Sequence, residues 1–304
     1  MQHNLALAHS GEDSMPDWQV ARFTAPKGQL LKWIGNKQRF ARSIVAHFPR
    51  RFGTYFEPFL GSGAVLASLA PTRAEGSDTF RPLIEIWQTL RNDPEKLKGW
   101  YRERFELVAT MGKVEAYASV LKSYNARPNG ADLLFLSRTC YGGVIRFRAA
   151  DGYMSTPCGV HDPISPDSFN MRANDWSRRV SHTDFIHHPF EEAMDRAREG
   201  DVIYCDPPYV HSQAILYGAQ QFSLEAMFSA IETAKRRGAF VAVSIDGSKK
   251  SGNELCHIPI PTGLFAQEKM LLVGRSMLKR FQMGGASLEK EVVRDRLLVT
   301  HPVA

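Results

Sequence analysis

The chain has 304 residues, 43% of them hydrophobic and 23% charged, with a formal net charge of +6 and a pI near 9.1. This length suits one large α/β domain that carries an insertion and excludes three domains, and no apolar run approaches the roughly 20 residues of a membrane-spanning helix. The start of the chain lacks the basic and apolar segments of a signal peptide, and the four cysteines form no CxxC pair, which disfavours a disulfide framework and a zinc site. We therefore expect a cytoplasmic protein with free thiols and no metal.

The first two predicted elements are an arm and a helix. Residues 1–23 are polar and mixed in character, and we interpret them as a loosely held N-terminal arm. A helix is predicted between Asn36 and Pro49, because apolar residues recur there at helical spacing.

The next segment has the pattern that opens a doubly wound α/β sheet. A strand rich in aromatic and β-branched residues is predicted at 54–59, a glycine-bearing turn at 61–63 and an apolar helix at 64–70, before a short element that ends at Asp78. The order strand, glycine turn, helix, strand, acid is typical of such a sheet.

Residues 93–180 lack this alternation and combine amphipathic helical stretches with glycine- and arginine-rich loops. The α/β pattern returns near residue 183. The elements predicted after it are a strand at 201–205, a helix from Ser223 to Gly238, a strand at 240–245 and a last strand at 291–300. We therefore predict one α/β, doubly wound, mostly parallel sheet built from residues 24–92 and 181–304, with a mainly helical region inserted at 93–180.

The turn from Glu57 to Gly63 (EPFLGSG) has the features of a ligand-binding loop. Glycine lets the backbone approach a ligand closely, and the helix that follows offers free N–H groups. The turn lacks the third glycine of the dinucleotide fingerprint GxGxxG, so a nicotinamide or flavin enzyme is not favoured. Asp78, at the end of the next strand, would lie near the hydroxyls of a ribose. Taken alone, the pattern is equally typical of a tight turn followed by a surface aspartate.

Asp206-Pro207-Pro208-Tyr209 (DPPY), directly after a predicted buried strand, is the most specific signal in the chain. The two prolines fix φ and remove two backbone donors, which leaves a carboxylate, an unsatisfied carbonyl and an aromatic ring on a stiff corner. These groups suit a flat heterocycle with an amino group, because the two oxygens accept its N–H bonds while Tyr209 stacks on the ring. Two fixed acceptors also draw such an amine toward tetrahedral geometry and stabilise the positive charge that develops when a methyl group arrives.

Two weaker features complete the pattern. In the segment 29–37 (QLLKWIGNK), Trp33 would pack on an adenosine ring and Lys37 would meet a carboxylate, although a core tryptophan and a surface lysine would have the same sequence. Between Lys122 and Arg148 the chain holds five basic residues and one acid, which on charge alone indicates a solvated face.

Together these segments resemble the Dam-type (class alpha) site-specific DNA N6-adenine methyltransferases, a family whose motifs run in the order cofactor entry, glycine loop, target recognition and DPPY. The chain shows LKWIGNK, FEPFLGSG, an inserted region and VIYCDPPY in that order, so the resemblance extends over about residues 29–300. It implies a Rossmann-like methyltransferase sheet, S-adenosylmethionine as the methyl donor, and transfer to the N6 amino group of an adenine that is flipped out of duplex DNA.

By position, the resemblance implies three groups of functional residues. Those implied to bind the cofactor are Trp33, Lys37, Glu57, Pro58, Phe59, Gly61, Gly63, Asp78, Phe190 and Asp206. Those implied to hold the target adenine are Asp206, Pro207, Pro208 and Tyr209. Those implied to contact DNA, within the inserted target-recognition region, are Arg138, Tyr141, Arg146 and Arg148.

The chain departs from the family pattern at three places. Gly35-Asn36 stands where two glycines are common, and Gly142 stands where an asparagine is common. The segment 187–190 (HHPF) stands where some members carry an acid near the adenine ring of the cofactor, which assigns that contact to a backbone group and Phe190.

Three alternatives remain open at the level of the sequence. Methylation of the N4 amino group of cytosine is the nearest, and Asp206 rather than a serine favours adenine. RNA or protein-glutamine methylation is the second, and a DNA-binding regulator without catalysis is the third, against which the intact DPPY argues. The resemblance implies double-stranded DNA as the partner and a bacterial or phage-encoded protein associated with the nucleoid. The sequence does not decide between a monomer and a homodimer, nor whether a cognate restriction endonuclease accompanies the chain.

Overall fold

The computed structural model describes residues 18–148, 150–208, 222–246, 248–249, 254–255, 258–274 and 293–302. Within them the α-helices are α1 (Ala41–Val45), α2 (Ala64–Leu69), α3 (Arg81–Asn92), α4 (Pro94–Met111), α5 (Lys113–Ala126), α6 (Gly130–Thr139), α7 (Pro166–Arg179), α8 (Phe190–Arg196) and α9 (Leu224–Arg236). The strands are β1 (Gln19–Val20), β2 (Arg51–Phe52), β3 (Tyr55–Glu57), β4 (Ala74–Asp78), β5 (Thr183–His187), β6 (Val202–Cys205), β7 (Phe240–Asp246), β8 (Ser248–Lys249), β9 (Glu254–Leu255), β10 (Gln267–Gly274) and β11 (Val293–Val299). None of the helices among these residues is long and apolar enough to span a bilayer.

Seven of the strands form one sheet in the order β10-β11-β7-β6-β3-β4-β5. The five strands from β7 to β5 are parallel, while β11 runs antiparallel to β7 and β10 runs antiparallel to β11. The chain adds β4 and β5 on one side of β3 and then returns past β3 to add β6 and β7 on the other. The doubly wound, mostly parallel sheet predicted from the sequence is therefore confirmed, and its strand order reverses between β3 and β6.

The central strands are apolar on both faces, which explains why helices cover both sides of the sheet. All four residues of β6 are buried, and they alternate between two hydrophobic clusters. Val202 and Tyr204 lie in one cluster with residues of α1, α2 and α3, whereas Ile203 and Cys205 lie in a second cluster with residues of α8 and α9.

The inserted region shares the first of these clusters rather than forming a core of its own. Helix α3 contacts α4, α6 and α7 of the inserted region. The rings of Tyr101 in α4 and Phe169 in α7 stack with their centroids 4.2 Å apart, and both belong to the same cluster as Trp87 of α3. The predicted boundary at residue 93 consequently falls between two helices within one continuous core.

The described end of the N-terminal arm is tied to the fold, which differs from the expectation of a loosely held segment. β1 pairs antiparallel with β2, and the buried side chain of Gln19 makes hydrogen bonds in both directions. Its amide nitrogen donates to the carbonyls of Gly53 (2.5 Å) and Arg73 (2.6 Å), and its amide oxygen accepts from the Thr72 amide (2.6 Å). A buried polar side chain with several backbone partners can anchor a segment. A prediction from the polar composition of residues 1–23 overlooks such an anchor.

Candidate active site

Three strand ends meet at one edge of the sheet. Glu57 ends β3, Asp78 ends β4, and Asp206 directly follows β6. Because these are the carboxyl ends of parallel strands on both sides of the point where the strand order reverses, they lie where open α/β sheets bind ligands. They line a cavity with about 1190 Å³ of empty space, part of it open to solvent. Its lining combines apolar and aromatic residues with a few convergent polar groups, which is the composition of a small-molecule site.

Nearly all residues predicted to bind the cofactor line this cavity. They are Trp33, Lys37, Glu57, Pro58, Phe59, Gly61, Asp78, Phe190 and Asp206. Gly63 forms the turn beneath them without lining the cavity. Residues from segments more than 170 positions apart along the chain are thus brought to one wall.

Neighbouring groups hold the glycine turn from both sides. Gly61 and Gly63 have φ values of +47° and +57°, in the left-handed region that favours glycine. The carboxylate of Asp78 accepts hydrogen bonds from the amides of Gly61 (3.1 Å) and Phe80 (3.0 Å), and the indole nitrogen of Trp87 donates to the Gly61 carbonyl (3.2 Å). Asp78 is therefore a buried support of the turn and not a surface aspartate.

The carboxyl group of Glu57 is buried in the cavity wall and joins β3 to the start of α2. Its Oε2 atom accepts hydrogen bonds from the Tyr55 hydroxyl (2.6 Å) and from the Leu66 amide in the first turn of α2 (2.9 Å). Burial raises the pKa of Glu57 to about 8, although the hydrogen bond from Tyr55 opposes the shift. Glu57 is therefore mostly protonated at neutral pH.

Asp206 forms an ion pair with Lys37 inside the cavity wall. The Lys37 Nζ atom lies 2.8 Å from Oδ1 of Asp206 and 3.7 Å from Oδ2 of Asp295 on β11, and the lysine side chain is only 7% exposed. Burial raises the pKa of Asp206 to about 6; Lys37 lowers it and Asp295 raises it further. The carboxylate expected for Lys37 was that of a ligand, whereas the one found beside it belongs to the protein.

The start of the DPPY corner presents two acceptors that make no hydrogen bond within the described part of the chain. Pro207 and Pro208 line the cavity together with Asp206. Within the described part of the chain, neither Oδ2 of Asp206 nor the carbonyl oxygen of Pro207 accepts a hydrogen bond. Tyr209, the fourth predicted residue of the corner, lies outside the described residues.

Aromatic rings form the apolar part of the cavity wall. The rings of Phe59 and Phe190 stack with centroids 5.1 Å apart, and Phe222 meets their edges at 5.7 and 6.1 Å. Trp33 lines the cavity and is buried. These rings provide the flat apolar surface that a purine ring requires.

The HHPF segment turns its histidines away from the cavity. Buried His188 contacts Oε1 of Glu75 through Nε2 (3.1 Å) and also contacts Arg196, whose Nε lies 3.0 Å from Oε2 of Glu75. The next residues, Pro189, Phe190 and Glu191, line the cavity instead. Sequence reasoning missed Glu191, an exposed carboxylate in the first turn of α8; its position at the end of HHPF was the only available signal.

A β-hairpin whose described residues are 144–148 and 150–156, which we name the recognition hairpin, lies beside the cavity. Phe147 pairs with Met154 across it. The ring of Phe147 contacts that of Phe80 at 5.6 Å, and Phe80 contacts the Trp33 ring at 6.3 Å. A row of aromatic rings thus connects the recognition hairpin to the cavity wall.

Helix α5 anchors the recognition hairpin through polar side chains. The Tyr117 hydroxyl donates to the Thr156 carbonyl (2.6 Å). The Asn125 amide group bonds the backbone of Met154 in both directions, at 3.1 and 2.7 Å. The tip of the hairpin is therefore presented by a fixed base.

Three of the four residues predicted to contact DNA lie on or next to the recognition hairpin. Tyr141 and Arg146 are half-buried, and the guanidinium of Arg146 makes no hydrogen bond or ion pair within the described part of the chain. Arg148 is exposed, but its guanidinium already bonds the Asp151 carboxylate at 3.1 and 2.6 Å and lies over the Tyr153 ring. Arg146 is therefore the most available of the three for a new anion.

The fourth, Arg138, is buried and serves the fold, which corrects its assignment to the DNA surface. Its Nη1 atom donates to the carbonyls of Gln29 (2.9 Å) and Leu30 (2.7 Å), and its guanidinium lies 5.9 Å from the centre of the Phe169 ring. Burial lowers its pKa to about 10. A cation held by backbone carbonyls inside the core does not reach a phosphate in this arrangement.

A basic residue that the sequence analysis left unassigned lies between the cavity and the recognition hairpin. Lys32 is exposed and precedes Trp33, and a Cβ atom at Gly143 would lie 3.0 Å from the Cβ of Lys32. Burial of part of the side chain and the nearby Arg138 and Arg172 lower the pKa of Lys32. Its place beside the tryptophan was visible in the sequence, but its closeness to residue 143 depends on the fold.

Comparisons with known proteins agree with this geometry. The model of a family described as D12 class N6 adenine-specific DNA methyltransferase matches residues 33–255, which is more than half of the chain. The chain is 26% identical over 232 residues to a DNA adenine methylase of Vibrio cholerae serotype O1, covering 71% of this chain and 80% of that protein.

Two further relatives come from another bacterium and a phage. The type II methyltransferase M1.LlaDCHI of Lactococcus lactis subsp. cremoris is 25% identical over 244 residues, covering 72% of this chain and 81% of that protein. A DNA N-6-adenine-methyltransferase of Escherichia phage P1 is 27% identical over 231 residues, covering 72% of this chain but 30% of the phage protein.

Proposed function

This chain belongs to the family of D12 class N6 adenine-specific DNA methyltransferases, and on that premise we propose that its cavity binds S-adenosylmethionine while a flipped-out adenine meets Asp206 and Pro207. Adenine methylation of DNA is the activity of the family. The observation that carries the proposal is a pair of acceptors on the cavity wall, Oδ2 of Asp206 and the Pro207 carbonyl, to which no donor among the described residues bonds.

The chemistry of the cavity suits the proposed donor. Trp33, Phe59 and Phe190 offer ring surfaces to the adenosine, and the glycine turn lets its backbone come close. Asp78 lines the cavity beside the glycine turn, and its carboxylate is the acceptor proposed for the ribose hydroxyls. Glu57 offers a carboxyl group to the positively charged end. When bound, the donor supplies an electrophilic methyl group on a sulfonium.

Asp206 and Pro207 are assigned the chemistry on the acceptor amine. Oδ2 and the carbonyl oxygen accept the two N–H bonds of the amino group, which frees the nitrogen lone pair from conjugation with the ring. As the nitrogen gains the methyl group it becomes positively charged, and the negative carboxylate stabilises that charge. Lys37 holds Oδ1, which leaves Oδ2 directed to the substrate. Tyr209 remains the residue predicted to stack on the adenine.

DNA binding is assigned to the surface around the recognition hairpin. Lys32 and Arg146 are the cations proposed to contact the DNA, with Tyr141 next to them and Arg148 at the exposed tip. Duplex DNA is the proposed form of the substrate, and because a stacked base cannot reach a cavity, the target adenine is proposed to flip out of the helix. Bacterial and phage relatives support a bacterial cytoplasm as the place of action. A partner endonuclease and the oligomeric state stay predictions.

The proposal is tested by identifying the methylated base. The protein is incubated with duplex DNA and methyl-labelled S-adenosylmethionine, and the nucleosides of the digested DNA are separated. We expect label on N6-methyladenine, loss of label with Asp206→Ala, and retention with Asp184→Ala, which changes an exposed aspartate paired with Arg91. Label on N4-methylcytosine would replace the adenine assignment, and DNA binding without any label would mean a regulator.

A further inference from the structure

Two cysteines that are 18 positions apart lie directly opposite each other at the base of the recognition hairpin. Cys140 and Cys158 form an antiparallel bridge, and both thiols are free. The flanking hydrogen bonds run from the Gly159 amide to the Thr139 carbonyl and from the Tyr141 amide to the Pro157 carbonyl, each 2.8 Å long. This pattern defines a non-hydrogen-bonded pair, in which the two side chains come closest.

The two backbones are held together unusually tightly at this point. A Cβ atom at Gly159 would lie 2.8 Å from the carbonyl oxygens of both Thr139 and Cys140, so only glycine fits. Non-hydrogen-bonded antiparallel partners have Cα atoms about 4.5 Å apart. Disulfide-bonded cysteines have Cα atoms about 4.4–6.8 Å apart, so the pair can be joined without moving the backbone.

We propose that Cys140 and Cys158 are a thiol pair that a small-molecule disulfide oxidises to an intramolecular disulfide bond, which closes the base of the recognition hairpin. The bond would enclose residues 140–158 in one ring. This ring holds Tyr141, Arg146 and Arg148, three of the residues assigned to the DNA surface.

The reaction proceeds by two thiol–disulfide exchanges. The partly exposed Cys158 thiolate attacks one sulfur of the oxidant, which releases one thiol and leaves a mixed disulfide. The Cys140 thiolate then attacks Sγ of Cys158 and releases the second thiol. The protein loses two electrons and two protons, and the oxidant is reduced to two thiols. Burial raises the pKa of Cys158 and raises that of Cys140 to about 12, so the exchange is faster in alkaline than in neutral solution.

The bond is tested on the full chain with Cys205→Ala and Cys256→Ala, which leaves Cys140 and Cys158 as the remaining thiols. The protein is incubated with glutathione disulfide near neutral and at alkaline pH, and its intact mass and free thiols are measured. We expect both thiols to disappear with the loss of two hydrogen atoms, faster at the higher pH, and to return with dithiothreitol. A stable glutathione adduct on Cys158 beside a free Cys140 thiol would overturn the proposal, and so would two unreacted thiols.

Two variants distinguish ring closure between Cys140 and Cys158 from unspecific reaction of either thiol with glutathione disulfide. Cys140→Ser should stop at the glutathione adduct, because the second attack has no thiolate. Gly159→Ala should slow the ring closure, because its Cβ forces the two backbones apart. Ring closure at the wild-type rate in Gly159→Ala would contradict the proposed register.

The consequence of the bond is measured on the oxidised and reduced wild-type chain. A ring of this length should raise the melting temperature by roughly 5 °C. Because the reduced chain already holds this register, DNA affinity should change by less than about threefold. An unchanged melting temperature, or loss of DNA binding that dithiothreitol restores, would overturn this consequence. The measurement of DNA affinity rests on the proposed function, whereas the measurements of intact mass and free thiols do not.

Discussion

At the scale of single residues, the two carboxyl groups on the central strands differ in charge for physical reasons. Glu57 is buried and Asp206 is half-buried, and among the described residues only Asp206 has a cation within hydrogen-bonding distance, the Nζ atom of Lys37. Glu57 has neutral donors, Tyr55 and the Leu66 amide, which lower its pKa less than burial raises it. A site with one charged and one protonated carboxyl group at neutral pH is the result.

Methyl transfer should weaken at acidic pH because the Asp206 carboxylate becomes protonated. In the proposed mechanism the Asp206 carboxylate accepts a hydrogen bond from the adenine amine. Burial raises its pKa to about 6, so below that pH protonation replaces the acceptor with an O–H donor. We expect kcat/KM for DNA to fall tenfold per pH unit below about pH 6. Glu191→Gln, at the rim of the cavity, serves as the control, and its kcat/KM should show the same fall at acidic pH as the wild type. A flat profile down to about pH 4 would contradict the assignment.

The second prediction concerns the stability of the fold. The pKa of Glu57 is raised from 4.5 to about 8 by folding, so its protonated form stabilises the native state fully at low pH. That stabilisation is lost as pH rises from about 5 through about 8, by up to roughly 1.4 kcal/mol per pH unit. Glu57→Gln mimics the protonated group and should remove this loss in urea unfolding experiments. Parallel pH dependences for the wild type and Glu57→Gln would show that Glu57 ionises normally.

At the scale of elements, the glycine turn is a connection in which a side chain would be strained. Gly63 has a left-handed φ of +57°, and a Cβ there would lie 3.0 Å from buried Trp87. Gly63→Ala should therefore cost about 1–3 kcal/mol of stability and weaken donor binding in calorimetry. Gly99→Ala in α4 is the control, since its Cβ meets nothing within 4 Å and should stabilise the helix by about 0.5–1 kcal/mol. Equal effects of both changes would count against a strained turn.

Arg146 on the recognition hairpin and the buried Arg138 should differ in what their loss affects. Arg146→Ala should leave stability unchanged, weaken DNA binding and lower the slope of log affinity against log salt by about 1. Arg138→Ala removes two hydrogen bonds to the carbonyls of Gln29 and Leu30 and should cost about 2–4 kcal/mol of unfolding free energy. Folding stability and DNA titrations at several salt concentrations check both. The reverse outcome would return Arg138 to the DNA surface.

Some of these elements could be predicted from the sequence, and others could not. The strands β3, β6 and β7 were predictable because aromatic and β-branched residues concentrate in and around them. The glycine turn and the start of DPPY, which line the cavity, were predictable because both follow such strands. The burial of Arg138 was not predictable from the sequence. An arginine in a basic segment looks the same in the sequence whether its guanidinium is solvated or bonds a backbone carbonyl. The partnership of Lys37 and Asp206 depends on segments about 170 positions apart, so only the folded sheet reveals it.

At the scale of the whole molecule, the sheet explains why function depends on distant parts of the chain. Strand β3 stands between β4 and β6, so one edge collects the ends of three strands from both halves of the chain. The inserted region shares a hydrophobic cluster with α3, and the aromatic row through Phe80 and Phe147 connects it to Trp33. The surfaces proposed for base recognition and for donor binding are consequently parts of one packed unit.

The decisive measurement is single-turnover methyl transfer by Asp206→Asn, with DNA affinity determined on the same preparation. An asparagine keeps the size of the side chain and removes the negative charge that faces the developing cation on the adenine nitrogen. We expect the transfer rate to fall at least about 100-fold while DNA affinity stays within about threefold of the wild type. A transfer rate within a few-fold of the wild type would show that the Asp206 carboxylate does not act on the amine.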